Sequence, residues 1–314
     1  VLMTGQHLGH TRVRGNAAMV GGVGEQRRVP LEPEDVTVAM LLKQAVYATG
    51  MTGKWGLGEP DTAAIPNLKG FDEWFGYLNQ QHAHTYYTDV LWKNTGGVTL
   101  KGNLNGQTNE YSHDLFAECT LDFVRRHRAA PFFLHLAHYA PHRPLGAPPE
   151  TIQRYLDHGI SQDAATVYAM IEIMDRGIGE LLATLRELGL RERTIVIFAS
   201  DNGPDPLAGP RFNQQRRGTK YEIYEGGIRV PLLVSWPGTL RPRSTDVVAH
   251  FTDIVPTLIE LCRLERPSGP PLDGASLAGL LQERDAGPRR PRFWQWHRGA
   301  PNYTHNAAMR EGEW

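Results

Sequence analysis

The sequence predicts an α/β fold in which a mostly parallel sheet is sandwiched by helices. Three short runs, at residues 47–52, 130–137 and 194–199, contain no Asp, Glu, Lys or Arg and include aromatic or β-branched residues. Runs of this kind are typical of strands that are buried on both faces of a parallel sheet. Longer stretches with helical periodicity separate them, and this alternation favours helices on both faces of the sheet.

The helices are predicted from periodicity and from the residues at their ends. Thr37 is a suitable N-cap for a helix over residues 38–47. The helix predicted over residues 115–128 buries four side chains: Phe116, Cys119, Phe123 and Val124. The longest predicted helix, residues 164–188, ends before Gly189 and turns one face to the core, formed by Tyr168, Ile171, Met174, Ile178, Leu181 and Leu185. A further helix covers residues 253–262, and the Asn- and Gly-rich residues 98–111 predict an exposed loop or hairpin.

A change in composition divides the chain. We predict an α/β core over residues 1–265, followed by a connector and the start of a truncated, smaller C-terminal region over residues 266–314, because residues 267–292 are rich in Pro, Gly and Arg. The chain begins at Val1 with no signal-peptide core. We therefore expect both ends to be cut edges of a longer protein.

The composition excludes several classes of function. The 314 residues include 33 Lys and Arg and 34 Asp and Glu, a net charge of −1, which offers no electrostatic footprint for nucleic acid or an anionic membrane. Apolar runs fall short of the roughly 18 residues that predict a membrane span. Cys119 and Cys262 are too few and too far apart to predict a disulfide framework or a zinc site. Residues 21–24 lack the full G-x-G-x-x-G of a dinucleotide site.

Polar residues follow each of the three charge-free runs. Lys54 follows the first run between Gly53 and Trp55, His142 follows the second between two prolines, and Asp201 and Asn202 follow the third. The carboxyl ends of parallel strands meet at one edge of a sheet, which is where ligands bind in open α/β folds. The alternatives are a solvated loop charge at Lys54, a structural role for His142 and an Asx turn at residues 200–203. Lys220, after an Arg-rich loop at residues 210–219, is a fourth candidate.

These residue types suit the ester of a polyoxoanion. A carboxylate beside an amide carbonyl, as in Asp201 and Asn202, fits a hard cation such as Ca²⁺ or Mg²⁺. Ammonium groups bind anionic oxygens, and an imidazole such as that of His142 exchanges protons near neutral pH. The pair His82 and His84 is incomplete as a metal site, so polar packing is the better interpretation.

Four ordered motifs resemble those of the type I sulfatases, the formylglycine-dependent enzymes of the alkaline phosphatase superfamily. They are G-K-W-x-L-G at residues 53–58, A-P-H-x-P at 140–144, S-D-N-G at 200–203, and G-x-K followed by E-G-G-I-R-V-P at 218–231. The opening L-M-T-G resembles the segment just after the family's C-x-P-S-R signature. The resemblance covers essentially the whole chain and implies an alkaline phosphatase-like sulfatase core.

The resemblance also implies roles for individual residues. Asp201 and Asn202 are similar to two ligands of the family's Ca²⁺ or Mg²⁺. Lys54 and Lys220 resemble the lysines that bind the sulfate oxygens, and His142 resembles the histidine that protonates the departing alcohol. Gly56 stands where many members carry a histidine, and His84 is our substrate-binding candidate in its place.

The departures predict a fragment. Neither Cys119 nor Cys262 lies in the C-x-P-S-R context that is oxidised to formylglycine, and the family's two first-strand aspartates are expected upstream of Val1. We therefore expect this chain to be inactive by itself. The whole protein is expected to carry formylglycine, installed by a separate maturation enzyme, and the family resemblance points to the periplasm or to secretion.

The predicted function is hydrolysis of a sulfate monoester, a sulfated carbohydrate in preference to an aryl sulfate, since residues 71–87 are rich in aromatic side chains and histidine. Two alternatives stay open. One is a phosphatase or phosphonate hydrolase of the same superfamily, and the other is a non-catalytic sulfate-binding remnant. A glycosylation sequon at residues 302–304 is informative only in a secreted eukaryotic protein.

Overall fold

Strands and helices alternate through the part of the chain that the computed structural model describes, residues 1–15, 18–19, 26–27, 29–209, 212–266, 268–296 and 306–312. The strands are β1 (Ala18–Met19), β2 (Gln26–Arg27), β3 (Ala48–Lys54), β4 (Glu73–Tyr77), β5 (Val90–Lys93), β6 (Gly96–Thr99), β7 (Phe132–Ala137), β8 (Val196–Ala199), β9 (Leu232–Ser235), β10 (Arg292–Gln295) and β11 (Ala307–Arg310). The α-helices are α1 (Val38–Gln44), α2 (Ser112–Arg126), α3 (Pro149–Leu156), α4 (Gln162–Glu187), α5 (Glu225–Ile228), α6 (Ile254–Leu261) and α7 (Ala278–Leu281). The glycine segment 21–24 and the sequon 302–304 lie outside the described residues.

The chain forms two compact units. The first comprises Val1–Ala45, Glu192–Pro204 and Phe212–Trp314, and the second comprises Val46–Arg191 and Asp205–Arg211. The predicted boundary between residues 265 and 266 stays a prediction. Among the described residues, no helix combines the length and apolar character needed to cross a membrane.

A five-stranded mixed sheet organises the second unit, in the order β6-β5-β4-β3-β7. Strand β3 pairs in parallel with β4 on one side and with β7 on the other, whereas β5 and β6 extend the sheet as an antiparallel hairpin. The prediction that the first two charge-free runs are parallel strands of one sheet is therefore confirmed. The predicted exposed loop at residues 98–111 contains the end of β6 and a 3₁₀ segment, Lys101–Gly106.

Helices α2 and α4 lie close to their predicted positions, but the residues that they bury differ in part from the predicted ones. Helix α2 buries Phe116, Phe123 and Val124 as predicted, but Cys119 is only half-buried. In α4, Leu181 and Leu185 are buried, whereas Ile171 is 39% exposed. The buried side of its first half is instead formed by Ala164, Ala165, Thr166, Val167, Ala169, Met170 and Ile173, three of which are alanines. Small side chains allow a helix to pack closely, and a prediction based only on large apolar residues misses this face.

The third charge-free run departs from its prediction. Strand β8 pairs antiparallel with β9, with Val196 opposite Ser235 and Ala199 opposite Leu232, and its side chains are partly exposed. The expectation of a parallel strand buried on both faces is wrong for this run. A β-branched, charge-free run favours a strand, but the partner and its direction depend on segments far away along the chain.

The first unit also contains α1, α6 and the β10–β11 hairpin. Thr37 caps α1 as predicted, with its hydroxyl accepting the amide of Met40 at 3.3 Å. Helix α6 lies within the predicted helix 253–262. A buried ion pair joins Arg292 of β10 to Asp253, the residue before α6, at 2.9 Å.

Candidate active site

Lys54 lies at the carboxyl end of β3, where three strands approach closely. Gly53 has φ +104°, and a Cβ there would lie 2.1 Å from the carbonyl oxygen of Ala137 in β7. Only glycine fits such a contact, so the backbones of β3 and β7 meet just before Lys54. Because Gly53 pairs in parallel with Ala137, Lys54 and the loop after β7 leave the same edge of the sheet. The half-buried Lys54 is thus a residue of this edge.

His142 lies in that loop, between the cis peptide bonds Ala140–Pro141 and Arg143–Pro144. Its amide donates to the Tyr139 carbonyl at 2.8 Å, and its own carbonyl accepts the Tyr86 hydroxyl at 2.8 Å. Its Nδ1 lies 2.5 Å from the Arg143 carbonyl, an atom that only accepts. A hydrogen on Nδ1 satisfies this contact, and in that form a substrate proton is exchanged at Nε2.

His84 stacks on His142, with ring centroids 5.6 Å apart and an angle of 14° between the rings. The second unit therefore brings together two residues that the sequence singled out separately. His84 is exposed, in contrast to the aromatic side chains around it. His82 bonds to the Thr88 hydroxyl at 3.0 Å, and burial lowers its pKa.

The aromatic residues of the stretch 71–87 are mostly core. Phe71, Trp74, Tyr77 and Tyr86 are each no more than 3% exposed. Tyr77 and Tyr86 belong to a buried cluster together with Phe116, Tyr139 and Met170. The expectation that these rings line a sugar subsite is therefore wrong for these four. The polar residues between them, such as Gln80, Gln81 and His84, remain at least partly exposed.

Gln80 occupies the space beside Gly56. Its Nε2 donates to the Gly56 carbonyl at 2.7 Å, and a Cβ on Gly56 would lie 2.6 Å from the same nitrogen. Gly56 also has φ +75°, which L side chains rarely adopt. A side chain at position 56 is thus disfavoured by the backbone conformation and would require the Gln80 side chain to move.

The first unit places Lys220 beside the turn that carries Asp201 and Asn202. The Lys220 amide donates to the carbonyl of Pro204 at 2.9 Å, and the Gly203 amide donates to the carbonyl of Gly227 at 2.8 Å. The Ser200 hydroxyl donates to the Asn202 carbonyl at 3.0 Å, which closes the turn. Asp201 is exposed and Asn202 is half-buried. Asp201, Asn202 and the main chain of Lys220 are therefore neighbours in a hydrogen-bonded loop, and Lys220 Nζ lies 5.5 Å from the centre of the Tyr221 ring.

The C-terminal hairpin supports the residue after Lys220. Tyr221 has φ +82°, and its carbonyl accepts the Asn306 side-chain amide at 2.8 Å. Asn306 also donates to the Trp296 carbonyl at 3.1 Å, and the Tyr221 and Trp296 rings meet edge to face at 5.2 Å. A tyrosine at positive φ is strained, and this support offsets the strain. The Arg-rich loop before Lys220 was noticed in the sequence; Arg211 lies outside the described residues.

The described residues do not make up a complete metal site. Asp201 and Asn202 have the oxygen donors that Ca²⁺ prefers, but calcium takes about six to eight oxygens. No group of three or more His, Cys, Asp or Glu suited to a metal occurs in the part of the chain with described coordinates. Neither Cys119 nor Cys262 forms a disulfide within the part of the chain that the structure describes, and both are half-buried. A complete cation site, and a formylglycine, would need residues beyond these.

Two family models match the sequence of this chain. A family model described as "Sulfatase" matches residues 2–263. The chain belongs to the sulfatase family. A second model, "N-sulphoglucosamine sulphohydrolase, C-terminal", matches residues 218–310, which agrees with the predicted smaller C-terminal region of a sulfatase.

Individual sulfatases show the same similarity. The chain is 32% identical to human arylsulfatase A over 83% of its length and 54% of that protein, and 31% identical to N-acetylgalactosamine-6-sulfatase of Canis lupus familiaris over 88% and 56%. A crystal structure of Ps i-CgsB in complex with k-i-k-neocarrahexaose is similar with a TM-score of 0.74 and 25% identity, covering 95% of this chain and 68% of that one. The alkaline phosphatase-like fold and the arylsulfatase-like family are thereby confirmed.

This sulfatase-family chain spans about half the length of the curated relatives it matches. The roles of Lys54, His142, Asp201, Asn202 and Lys220 stay predictions. Sequence reasoning missed Tyr86, Gln80 and Asn306, whose contacts join positions 24 to 85 residues apart. The only signal for Tyr86 was its place in the aromatic stretch.

Proposed function

We propose that the protein is a sulfuric ester hydrolase that acts on sulfate monoesters, with this chain supplying two ammonium groups and the acid. The observation that carries the proposal is the bond from the Lys220 amide to Pro204, which holds a lysine beside the Asp201–Asn202 turn. The pairing of β3 with β7, which sends Lys54 and the His142 loop from one sheet edge, supports it in the second unit. Membership of the sulfatase family supports a shared role for these residues in hydrolysis of the ester.

The reaction replaces a sulfate ester by an alcohol and sulfate. In R–O–SO₃⁻, the bond between sulfur and the bridging oxygen breaks, water supplies the oxygen that sulfur gains, and the bridging oxygen takes up a proton. Lys54 and Lys220 bind the non-bridging oxygens, where negative charge is concentrated. With hydrogens on both ring nitrogens, the His142 imidazolium donates the proton from Nε2 to the bridging oxygen, while Nδ1–H stays directed at the Arg143 carbonyl. When bound, a divalent cation with Asp201 and Asn202 among its ligands would add positive charge beside the sulfate.

We propose a sulfated carbohydrate as the substrate class. The relative N-acetylgalactosamine-6-sulfatase and the similar structure with a bound neocarrahexaose support a sugar. Since the aromatic rings of residues 71–77 are largely buried, recognition of the sugar depends on polar groups. Gln80, Gln81 and His84 are polar residues of this stretch that are at least partly exposed, and His84 stacks on His142. His84 contacts the substrate in this proposal.

The test compares matched esters on the whole protein. Turnover of 4-nitrophenyl sulfate should exceed turnover of 4-nitrophenyl phosphate. Replacing Lys220 by Ala should lower kcat/KM for the sulfate by about 100-fold or more, because an oriented charge on the transferring group is lost. Lys101→Ala is the control, since Lys101 is an exposed lysine far along the chain, and it should change kcat/KM less than twofold. Preference for the phosphate ester, or an active Lys220→Ala variant, would contradict the proposal.

This chain by itself is proposed to be inactive, because neither Cys119 nor Cys262 has the sequence context for formylglycine. Incubation with 4-nitrophenyl sulfate and Ca²⁺ should give no turnover that depends on Lys220. If the whole protein also proves inactive, yet sulfate raises its thermal stability, a sulfate-binding remnant becomes the better account.

A further inference from the structure

The Tyr86 hydroxyl is directed at the main chain of His142. It donates to the His142 carbonyl at 2.8 Å and lies 3.5 Å from the Tyr139 carbonyl. The His142 amide in turn donates to the Tyr139 carbonyl at 2.8 Å. Both main-chain polar groups of His142 therefore have fixed partners, and one of those partners is a side chain that lies 56 residues earlier.

Tyr86 is itself rigidly held. It is 3% exposed, and its ring stacks on Tyr139 with centroids 4.3 Å apart and on Tyr111 with centroids 5.6 Å apart. Its carbonyl accepts the amide of Ser112 at 3.0 Å. Burial raises the pKa of Tyr86 above its ordinary value, so the hydroxyl keeps its proton and remains a donor at neutral pH.

The imidazole of His142 depends on the position of this main chain. Its Nδ1 lies within hydrogen-bond distance of the carbonyl of the next residue, Arg143, and its ring stacks on His84. A shift of the His142 main chain would change both contacts together. The same loop is held one residue before Pro141, where the Ala140 amide donates to His113 Nε2 at 3.3 Å.

We propose that Tyr86 is a positioning residue for His142, and that its hydroxyl holds the imidazole so that Nε2 is presented to the bridging oxygen of the ester. The catalytic part of this inference rests on the proposed function. Tyr86 acts through the main chain and touches no reacting atom. A misplacement of a catalytic group by about 1 Å is enough to lower a rate substantially.

Tyr111 provides a matched control in the same cluster. It is 4% exposed, stacks on Tyr86, and its hydroxyl donates to the carbonyl of Gly146 at 3.0 Å. Tyr86→Phe and Tyr111→Phe each remove one buried tyrosine hydroxyl bonded to a main-chain carbonyl. Both variants should remain folded, because each loses a single hydrogen bond and keeps the aromatic ring in place. Only the first change releases His142.

The first measurement needs no turnover. The ¹⁵N shifts of the histidine side chains, recorded on this chain and assigned with His142→Gln, report which nitrogen of His142 carries hydrogen. In the unmodified chain and in Tyr111→Phe, His142 should show the Nδ1–H form. In Tyr86→Phe it should shift towards a mixture of the two tautomers. Unchanged His142 signals in Tyr86→Phe, or an equal change in Tyr111→Phe, would overturn the positioning role.

The second measurement uses the whole protein with a series of sulfate esters. Tyr86→Phe should lower kcat about tenfold for esters of poorly acidic alcohols, which need a proton, with KM changed less than twofold. It should have little effect on 4-nitrophenyl sulfate, whose leaving group departs without a proton. Equal losses across the series would refute the assignment. Absence of turnover in the unmodified protein would count against the proposed function, and the histidine shifts would still decide the role of Tyr86.

Discussion

Arg292→Met tests the buried ion pair that joins the β10 strand to the start of α6. The side chains of Arg292 and Asp253 are 4% and 0% exposed, and Arg292 Nη2 lies 2.9 Å from Asp253 Oδ2. Burial raises the pKa of Asp253 despite the nearby guanidinium. The arginine therefore offsets only part of the cost of burying this carboxylate, and its removal leaves a charge without its partner.

The expected loss follows from that geometry. Breaking a buried pair by removing one partner costs about 3–5 kcal/mol. We expect the lower end, about 3 kcal/mol, because Asp253 keeps two main-chain donors, the amides of Ala275 at 2.9 Å and His250 at 2.8 Å. For a chain of 314 residues such a loss lowers Tm by about 4–5 °C. Without the arginine the pKa of Asp253 rises further, so the loss should be larger at pH 7 than at pH 5.

The assay is urea-induced unfolding at both pH values with two controls. Arg284→Met removes a 2.7 Å pair to Glu260 of α6 whose side chains are 56% and 45% exposed, and it should cost under about 1 kcal/mol. The double variant Asp253→Asn with Arg292→Met removes both charges of this pair, so it should lose less folding stability than Arg292→Met alone. A cost for Arg292→Met no greater than for Arg284→Met would refute the reasoning.

Three further predictions concern the rest of the chain. Burial lowers the pKa of three histidines from 6.5 to about 4: His135, His138 and His250. These histidines stay neutral in the folded state, so their contribution to the free energy of unfolding is complete above pH 6.5 and is lost as the pH falls towards 4. Urea unfolding should therefore show lower stability at pH 5 than at pH 7. Equal stability at the two pH values would contradict this prediction. Gly53→Ala should cost more than about 2 kcal/mol of folding stability, since its Cβ would lie 2.1 Å from the Ala137 carbonyl. Gly159→Ala, at a glycine with positive φ but open space around it, should cost about 1 kcal/mol. Equal Tm values for the two variants would exclude the close contact at Gly53. Asn306→Ala should speed hydrogen exchange at the Lys220 amide without changing exchange in β3, because it releases Tyr221. Unaltered exchange at Lys220 would show that the hairpin does not support this residue.

The sequence predicted those parts of the fold that depend on local patterns. Thr37 and Gly189 mark helix ends because capping is decided within a few residues, and both lie where predicted. The parallel pairing of β3 with β7 was predictable from two charge-free runs separated by a helix. The direction of β8 was not, since pairing between strands is decided by tertiary contacts.

The candidate site shows the same division. Strand-end positions were enough to single out Lys54, His142, Asp201 and Asn202. The contacts that hold them could not be predicted, because Tyr86 and His142 are joined by a bond across 56 positions. Aromatic residues at 71–86 also misled the interpretation, since composition does not distinguish a buried ring from a ring that lines a binding site.

The most direct test of the account is a crystal structure of the whole protein with a sulfated sugar bound. Lys54 Nζ and Lys220 Nζ should each lie within hydrogen-bond distance of a non-bridging sulfate oxygen, and His142 Nε2 should face a bridging oxygen. Asp201 and Asn202 should ligate a cation beside the sulfate. A structure in which the sulfate contacts Lys220 but neither Lys54 nor His142 would contradict the central claim.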